Sequence, residues 1–541
     1  MGSKIENLSV LIECSNIGTP NVPMLKKYID ILSAFGYKRL YLGVTEAYKI
    51  PEEPFFNYNK GGYTKEQFVE LDYYAEGKGM ELCLSFQTLA HLEGLSRYEC
   101  FNGYMDTNSI LMVGDERTYT LIDHMFQSLS ESVRSRTIHI GMDEAWDLGL
   151  GKYLKKNGYH DRHGIFLEHL KRVCEIARKY DYHPEMWADM FFYLAKSSDF
   201  EQNDSSLQRI IELIPEDVTL VHWDYSKRKS EEFERSLSAV LTLANGKEIV
   251  FAGGALKYIS YAPHNAYSID VISDQINSCR KLGVSNYMLT LWSDNGARTS
   301  NAAILPTLFV TAELAKGKTK EEIDKDKFAE IIGVDFDSFM LLDALDNPYF
   351  KKWDENWTGT KSYYALFTDL LIPYFDLYIS EGNDKAYAEL AEKLDAIDGK
   401  YYQPIFDCSR DLARVLSIKA ELSQKIRKAY KERNLELLRK IATKDIPLLI
   451  EYMKEFTDSF EEFWFWENVP YGIEVHHHFN GGLICRWESV AKRILKYVEK
   501  GVTIEELERE ARKPEYLTCE VCEDNLRVAP FTDMISFCTI R

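Results

Sequence analysis

Eight short apolar runs recur through the first three hundred residues: Ser9–Cys14, Arg39–Val44, Glu81–Phe86, Thr137–Met142, His183–Ala188, Thr219–Asp224, Glu248–Gly253 and Asn286–Leu291. Continuous runs of this length predict strands buried on both faces. Amphipathic stretches with helical spacing lie between them, among them Thr64–Lys78, Ile165–Lys179, Ser230–Ala244 and Ser268–Leu282. The weakest of these connecting helices is expected near Ser205–Leu213. Strands alternating with helices predict a parallel sheet covered on its outside. Eight such units fit a (β/α)8 TIM barrel better than an open doubly wound sheet. No Gly-x-Gly-x-x-Gly follows the first run, which counts against a dinucleotide-binding fold.

From about Lys316 the pattern changes to long helical periods, as in Ala386–Leu394, Ser409–Arg433 and Leu435–Phe456. The chain therefore divides into an α/β barrel over 1–316 and a mainly α-helical C-terminal domain over 317–541. A length of 541 residues suits two domains, since single cores stop growing well before that size. The closing segment, Glu515–Arg541, fits neither pattern.

Charge narrows the partners. A formal net charge of −20 argues against nucleic acid or an anionic membrane surface, both of which call for a basic face. No run is long enough to span a bilayer, and the first residues hold no apolar core of signal-peptide length. The ten cysteines are scattered and read as reduced thiols, which points to the cytoplasm, with a removed leader still open. Oligomeric state is left open, a homodimer being one option.

In a barrel the strand ends converge on one rim, where the chemistry of such folds resides. Read in order, those ends carry Ser15-Asn16, Thr45-Glu46, Gln87 with His91, Asp143-Glu144, Trp187 with Asp189, Trp223 with Tyr225, Gly253-Gly254, and Trp292 with Asp294. The expected insertions, Glu46–Tyr63 and Thr88–Arg117, fall on the same face. Each tryptophan alone reads as core, but three on separate strand ends favour a pocket walled by indoles, with amides and carboxylates for hydroxyls. Asp143 and Glu144 are adjacent, and strand neighbours point to opposite faces. Only a turn at the strand end lets both serve one ligand. Held close, they disfavour double ionisation and keep a proton available for donation. The competing reading is an acidic loop capping the next helix.

Two clusters receive the plainer reading. His476-His477-His478 lacks other ligands at metal spacing and is expected at the surface or a pocket edge. Cys519-Glu520-Val521-Cys522 with Cys538 has no second Cys-x-x-Cys and is read as structural. No metal and no cofactor is expected.

At these residues the chain resembles glycoside hydrolase family 20, the β-N-acetylhexosaminidases, in the branch where a barrel precedes a helical domain. The resemblance rests on His139-Ile140-Gly141-Met142-Asp143-Glu144, Gln87-Thr88-Leu89-Ala90-His91-Leu92, Phe251-Ala252-Gly253-Gly254-Ala255, Trp292-Ser293-Asp294 and Gly481-Gly482-Leu483. It implies a retaining, substrate-assisted hydrolysis of an oligosaccharide or glycoconjugate. Glu144 would be the general acid. Asp143 would hold the N–H of the sugar's 2-acetamido group, whose oxygen attacks the anomeric carbon. Tyr225, with Tyr261 as second choice, would bond that acetamido oxygen. Trp187, Trp223 and Trp292 would enclose the sugar, with Asn16, Glu46, His91 and Asp294 on its outer groups.

Three positions depart from the family pattern. Asn16 stands where an Arg is usual, Asn59-Lys60-Gly61-Gly62 replaces an Arg-rich loop, and His477-His478-Phe479 replaces a motif with Asp and Arg. Loss of a bidentate cationic fork changes hydroxyl recognition. The expected substrate is accordingly an unusual sugar, substituted or different at its 4- or 6-position. Two alternatives stand beside this reading: a catalytically weak carbohydrate-binding barrel, and a β-glycosidase using Asp294 or Asp189 as its own nucleophile.

Overall fold

A computed structural model describes residues 4–15, 17–197, 210–225, 227, 229–348, 361–372, 379, 381–510, 521–522 and 525–526. The eight expected strands form, in chain order, one closed parallel barrel. They are β1 (Asn7–Glu13), β2 (Arg39–Gly43), β3 (Glu81–Ser85), β4 (Thr137–His139), β5 (His183–Trp187), β6 (Thr219–Trp223), β7 (Ile249–Gly254) and β8 (Asn286–Leu291). Closure comes from β1, which pairs with β2 through Ser9 opposite Arg39 and with β8 through Asn7 opposite Asn286. The barrel is filled by Leu11, Tyr41, Cys83, Trp187, Val221, Val250, Ala252 and Met288, with Trp223 and Trp292 packed against them. Inward residues from successive strands thus make a packed core rather than a pore.

The helices outside the barrel start and stop where local chemistry requires. Thr64 caps the helix Lys65–Gly77 in a reciprocal box with Gln67, satisfying two otherwise orphaned N–H groups. Phe68, Leu71 and Ala75 then recur on one face of it and are buried. Asp161 caps Arg162–Lys179 through the Gly164 N–H, and Asn245 ends Ser230–Ala244 in the left-handed region. Of the expected helix near Ser205–Leu213, only residues 210–213 are described, and these are helical.

The chain divides into two compact units. The first holds Met1–Ala255, Ser268–Trp292 and Thr307–Ile323; the second holds Leu256–Tyr267, Ser293–Pro306 and Asp324–Arg541. The second is mainly helical, with long helices Gln403–Lys419, Ile446–Glu467 and Ile473–Lys500. Of two expected single helices, one is interrupted and the other is continuous but locally widened. Ser409–Arg433 breaks after Lys419, where Asp384 and Glu421 each accept the other's backbone N–H, at 3.0 and 3.1 Å, and so hold the chain between helices. Leu435–Phe456 contains a wide turn at Ile441–Asp445, just before Pro447, whose missing N–H removes one helical hydrogen bond.

The histidine cluster differs from expectation. All three histidines lie on Ile473–Lys500, where successive side chains point about 100° apart. His476 is buried rather than surface-lying: its Nε2 is 2.9 Å from the Gly296 carbonyl, and its ring packs on Phe460 and Trp464. Burial drives its pKa down to about 3, so the ring is neutral. His477 pairs with Glu461 at 3.2 Å, and His478 is exposed. Cys519 and Cys538 lie outside the described residues, and Cys522 belongs to a two-residue strand paired with Asn525-Leu526. Cys14, Cys83, Cys174, Cys279 and Cys408 are buried free thiols, and Cys100 and Cys485 exposed ones. Among the described residues no helix is long and apolar enough to cross a membrane, and no group of metal-ligating side chains occurs.

Candidate active site

The fourth strand is shorter than its apolar run. It ends at His139 because Gly141, Met142 and Glu144 all take left-handed backbone angles, with φ of 69°, 71° and 51°. Beyond His139 the Ile140 N–H, 2.8 Å from the Glu185 carbonyl, and the Gly141 carbonyl, which accepts the Trp187 N–H at 3.2 Å, carry the pairing with β5 a little further. For Met142 and Glu144 this conformation costs about 1 kcal/mol or more each and persists only where neighbours hold it. Two side chains do so. The Met142 N–H donates to Gln87 Oε1 at 3.2 Å, and the Glu144 N–H donates to Asp189 Oδ2 at 3.0 Å. The turn resolves the difficulty of adjacent carboxylates, because Asp143 swings toward the end of β3 while Glu144 is tethered at the end of β5.

Asp143 is largely enclosed, its side chain 14% exposed, whereas that of Glu144 is 38% exposed. Gln87 Nε2 donates to Asp143 Oδ1 at 2.8 Å, and His91 Nε2 lies 3.2 Å from Asp143 Oδ2 and 3.8 Å from Glu144 Oε2. Burial by itself would raise the Asp143 carboxyl. The bond and charge of His91, then the Gln87 amide, outweigh it and hold Asp143 below its ordinary value. His91 responds in the opposite sense. Desolvation disfavours its cation, but Asp143 and then Glu144 and Glu93 bring its pKa up to about 9. At neutral pH the pair is an imidazolium and a carboxylate.

Asp189, at the start of the helix Asp189–Ser197, is pushed up to about 7, first by burial and then by the charges of Asp143 and Glu144. Burial is the first cause of that rise, and like-charge repulsion from the close carboxylates adds to it.

The aromatic side chains continue the arrangement. His139, neutral because burial lowers its pKa to about 3, accepts the Gly141 N–H at 3.1 Å and packs on Trp187 at 4.3 Å. Trp187 meets Trp292 at 5.9 Å; the Trp292 indole N–H donates to the Tyr225 hydroxyl at 3.0 Å; and Tyr225 stacks on Trp223 at 5.3 Å. The three indoles and Tyr225 therefore form one connected wall reaching from behind the Asp143 turn to β6. Their exposures differ. Trp187 is only 1% exposed and belongs to the barrel core, while Trp223, Trp292 and Tyr225 are half-buried.

The other expected residues are placed variously. The Glu46 carboxylate is buried in an ion pair with Lys60, beneath Gly94, where a Cβ would strike both partners. Burial and nearby Arg97 lower Lys60 to about 8. Asp294 is exposed and belongs to the second unit. Tyr261 is also in the second unit, buried against Tyr363 and Phe456. Asn16 lies outside the described residues. Sequence reasoning did not give Gln87 a role, although it holds both the turn and Asp143. Its place at the end of β3, beside β4 in the barrel order, was the available signal.

A closed parallel barrel with an acidic doublet turned out of its fourth strand, backed by indoles, defines a sugar-cleaving enzyme. Residues 20–260 match the model of the glycosyl hydrolase family 20 catalytic domain, and residues 337–518 that of the glycoside hydrolase 20C C-terminal domain. The chain belongs to glycoside hydrolase family 20. Among solved structures it is similar to a family 20 β-N-acetylhexosaminidase from Streptomyces coelicolor, at 19% identity over 60% of this chain and 67% of that one, with a TM-score of 0.44. It is similar also to a β-N-acetylhexosaminidase from Bacteroides fragilis, at 16% identity over 61% and 69%, TM-score 0.47. A third is an exo β-N-acetylglucosaminidase from Vibrio harveyi in complex with N-acetylglucosamine, at 15% identity over 62% and 57%, TM-score 0.44. No curated protein sequence matches the chain.

Proposed function

We propose that this glycoside hydrolase is a retaining exo-β-N-acetylhexosaminidase that uses the substrate's own 2-acetamido group as nucleophile. The observation that carries the reading is the pairing of an enclosed, ionised Asp143, held between Gln87 and His91, with a more accessible Glu144 next to it. Asp143 accepts the acetamido N–H and aligns the carbonyl oxygen behind the anomeric carbon, while the Tyr225 hydroxyl donates to that oxygen. Glu144 protonates the glycosidic oxygen as the C–O bond breaks and the ring C1 bonds to the acetamido oxygen, giving an oxazolinium ion. Glu144, now ionised, takes a proton from water as water opens that ion with net retention. An internal nucleophile of this kind brings effective molarities on the order of 10⁵ M or more. Asp143 remains negative against the developing positive charge, a preorganised electrostatic stabilisation. Trp223 and Trp292 flank the sugar, and Trp187 supports them from the core.

An enzyme nucleophile at Asp189 fits less well. Its pKa of about 7 leaves much of it protonated near neutrality, and its Oδ2 is already bound to the Glu144 N–H. The test is twofold. Glu144→Gln is expected to lower kcat for a disaccharide by about 10²–10⁴-fold, and a thiazoline mimic of the oxazolinium is expected to inhibit the wild type far more tightly than the product sugar does. An active enzyme indifferent to the thiazoline would overturn the acetamido mechanism. Binding of the sugar without hydrolysis would favour a carbohydrate-binding barrel.

A further inference from the structure

Glu144, as proton donor, fixes where the leaving group lies, so the site assigned to that group rests on the hexosaminidase reading. A general acid sits within hydrogen-bond reach of the oxygen it protonates. The first ring beyond that oxygen therefore passes over the surface next to Glu144. That surface carries an aromatic pair which the catalytic arrangement does not use.

Trp146, two residues after Glu144, is 39% exposed, whereas the sugar-wall tryptophans are half-buried or fully buried. Its indole meets Tyr193 edge-to-face at 4.4 Å and 68°. Both rings are carried by segments tied to the acid. The Trp146 N–H donates to the Glu144 carbonyl at 2.7 Å, and Tyr193 stands on the helix whose first residue, Asp189, accepts the Glu144 N–H. Arg162 fixes the turn from outside: its guanidinium donates to the carbonyls of Trp146 and of Leu148 (3.0 Å), and lies 5.6 Å from the Tyr193 ring centre. An indole left in water forgoes the burial such a large apolar surface usually gains. Here the turn that carries it is fixed beside the acid by three bonds to backbone carbonyls, and the ring itself rests on Tyr193.

We infer that Trp146 and Tyr193 form the platform for the first sugar of the leaving group, accepting the C–H face of a hexopyranose ring. Recognition by a ring face makes no hydrogen bond to a particular hydroxyl and needs only a face whose axial positions carry C–H, so the platform selects for a saccharide aglycone as a class rather than for one sugar. It complements the hydroxyl-directed groups around the other half of the substrate.

The test compares two substrates of full-length enzyme that share the 2-acetamido sugar: a β-linked disaccharide, and the corresponding methyl glycoside, whose leaving group needs the same proton but has no ring. For Trp146→Ala, the ratio of kcat/KM for the disaccharide to that for the methyl glycoside is expected to fall about tenfold, the size of one good aromatic contact. Trp146→Phe is expected to restore most of the ratio, and Trp146→Leu, which keeps apolar bulk in the turn, serves if the alanine variant fails to fold. An unchanged ratio in an active variant, with both substrates falling equally, would mean that Trp146 only shapes the turn, and would overturn the platform alone. A wild type that hydrolyses neither substrate would overturn both the platform and the hexosaminidase reading beneath it.

Discussion

Asp143, Glu144 and Asp189 are three carboxyl groups in one small volume, and each meets a different fate because each meets different neighbours. Asp143 has a cation and an amide donor, Glu144 has the most water, and Asp189 has neither in comparable measure. Asp189 therefore ionises late. In the folded protein its pKa is about 7 against an ordinary 3.8, so between those values the unfolded chain ionises first and the fold loses stability as pH rises. Asp189→Asn removes that penalty while keeping an oxygen for the Glu144 N–H. Its melting temperature relative to wild type is expected to climb from about pH 4 to about pH 7 and then level off, as read by calorimetry across pH. His91 acts in the other direction. Its pKa, raised from 6.5 to about 9, means that its ion pair supports the fold fully below pH 6.5 and that this support fades as pH rises through about 9. Without the imidazolium, Asp143 ionises less readily. For His91→Ala the acidic limb of the kcat/KM profile is expected to move up by about one pH unit, whereas a residue that merely packed against the site would lower the plateau and leave the limb in place.

At the level of elements, the site depends on a strand that stops early. The apolar run continues to Met142, but the pleat ends at His139 because the next turn enters the left-handed region. Gly141 is the residue that permits it. With φ of 69°, it takes a conformation that a side chain resists, and a Cβ there would strike the Gln87 amide. Since that amide bonds both the Met142 N–H and Asp143, Gly141→Ala is expected to disturb the acid pair as well as the backbone. The expected outcome is a loss of about 1–3 kcal/mol in denaturant unfolding together with a fall in kcat larger than any change in KM. Left-handed residues recur at neighbouring strand ends, at Thr45 after β2 and His91 beyond β3. Such strain at a rim is what an over-determined functional loop carries.

At the scale of the whole barrel, Trp187 belongs to two systems at once. It fills the interior with residues from six other strands, and it backs the half-buried indole of Trp292. Trp187→Ala is expected to cost about 3–5 kcal/mol and to reduce activity through loss of that support. Trp187→Phe is expected to recover most of the stability but less of the activity, as thermal unfolding and kcat/KM measured side by side would show. The closed order β1 to β8 is what makes one residue serve both purposes, since only closure brings β5 and β8 side chains onto a common core.

Much of this was present in the chain as written. The eight buried runs lie within one or two residues of the strands apart from β4, because continuous apolar segments bounded by turns have few other ways to avoid water. The acid pair and the three indoles were visible as strand-end residues for the same reason: period and position place them on one rim. The long helical periods recur in the second unit, which also takes Leu256–Tyr267 and Ser293–Pro306 from the range read as barrel; the pairing of Asp384 with Glu421 divides one helix that read as continuous, and Ile441–Asp445 widens another before Pro447. What the chain could not announce was partnership across distance. That Gln87 would steady Asp143, that burial beside the doublet would raise Asp189, that Glu46 would be taken by Lys60, and that His476 would be buried all follow from contacts between residues far apart in sequence. Periodicity is a local property and survives in the unfolded chain. Burial and charge pairing exist only once the elements have met.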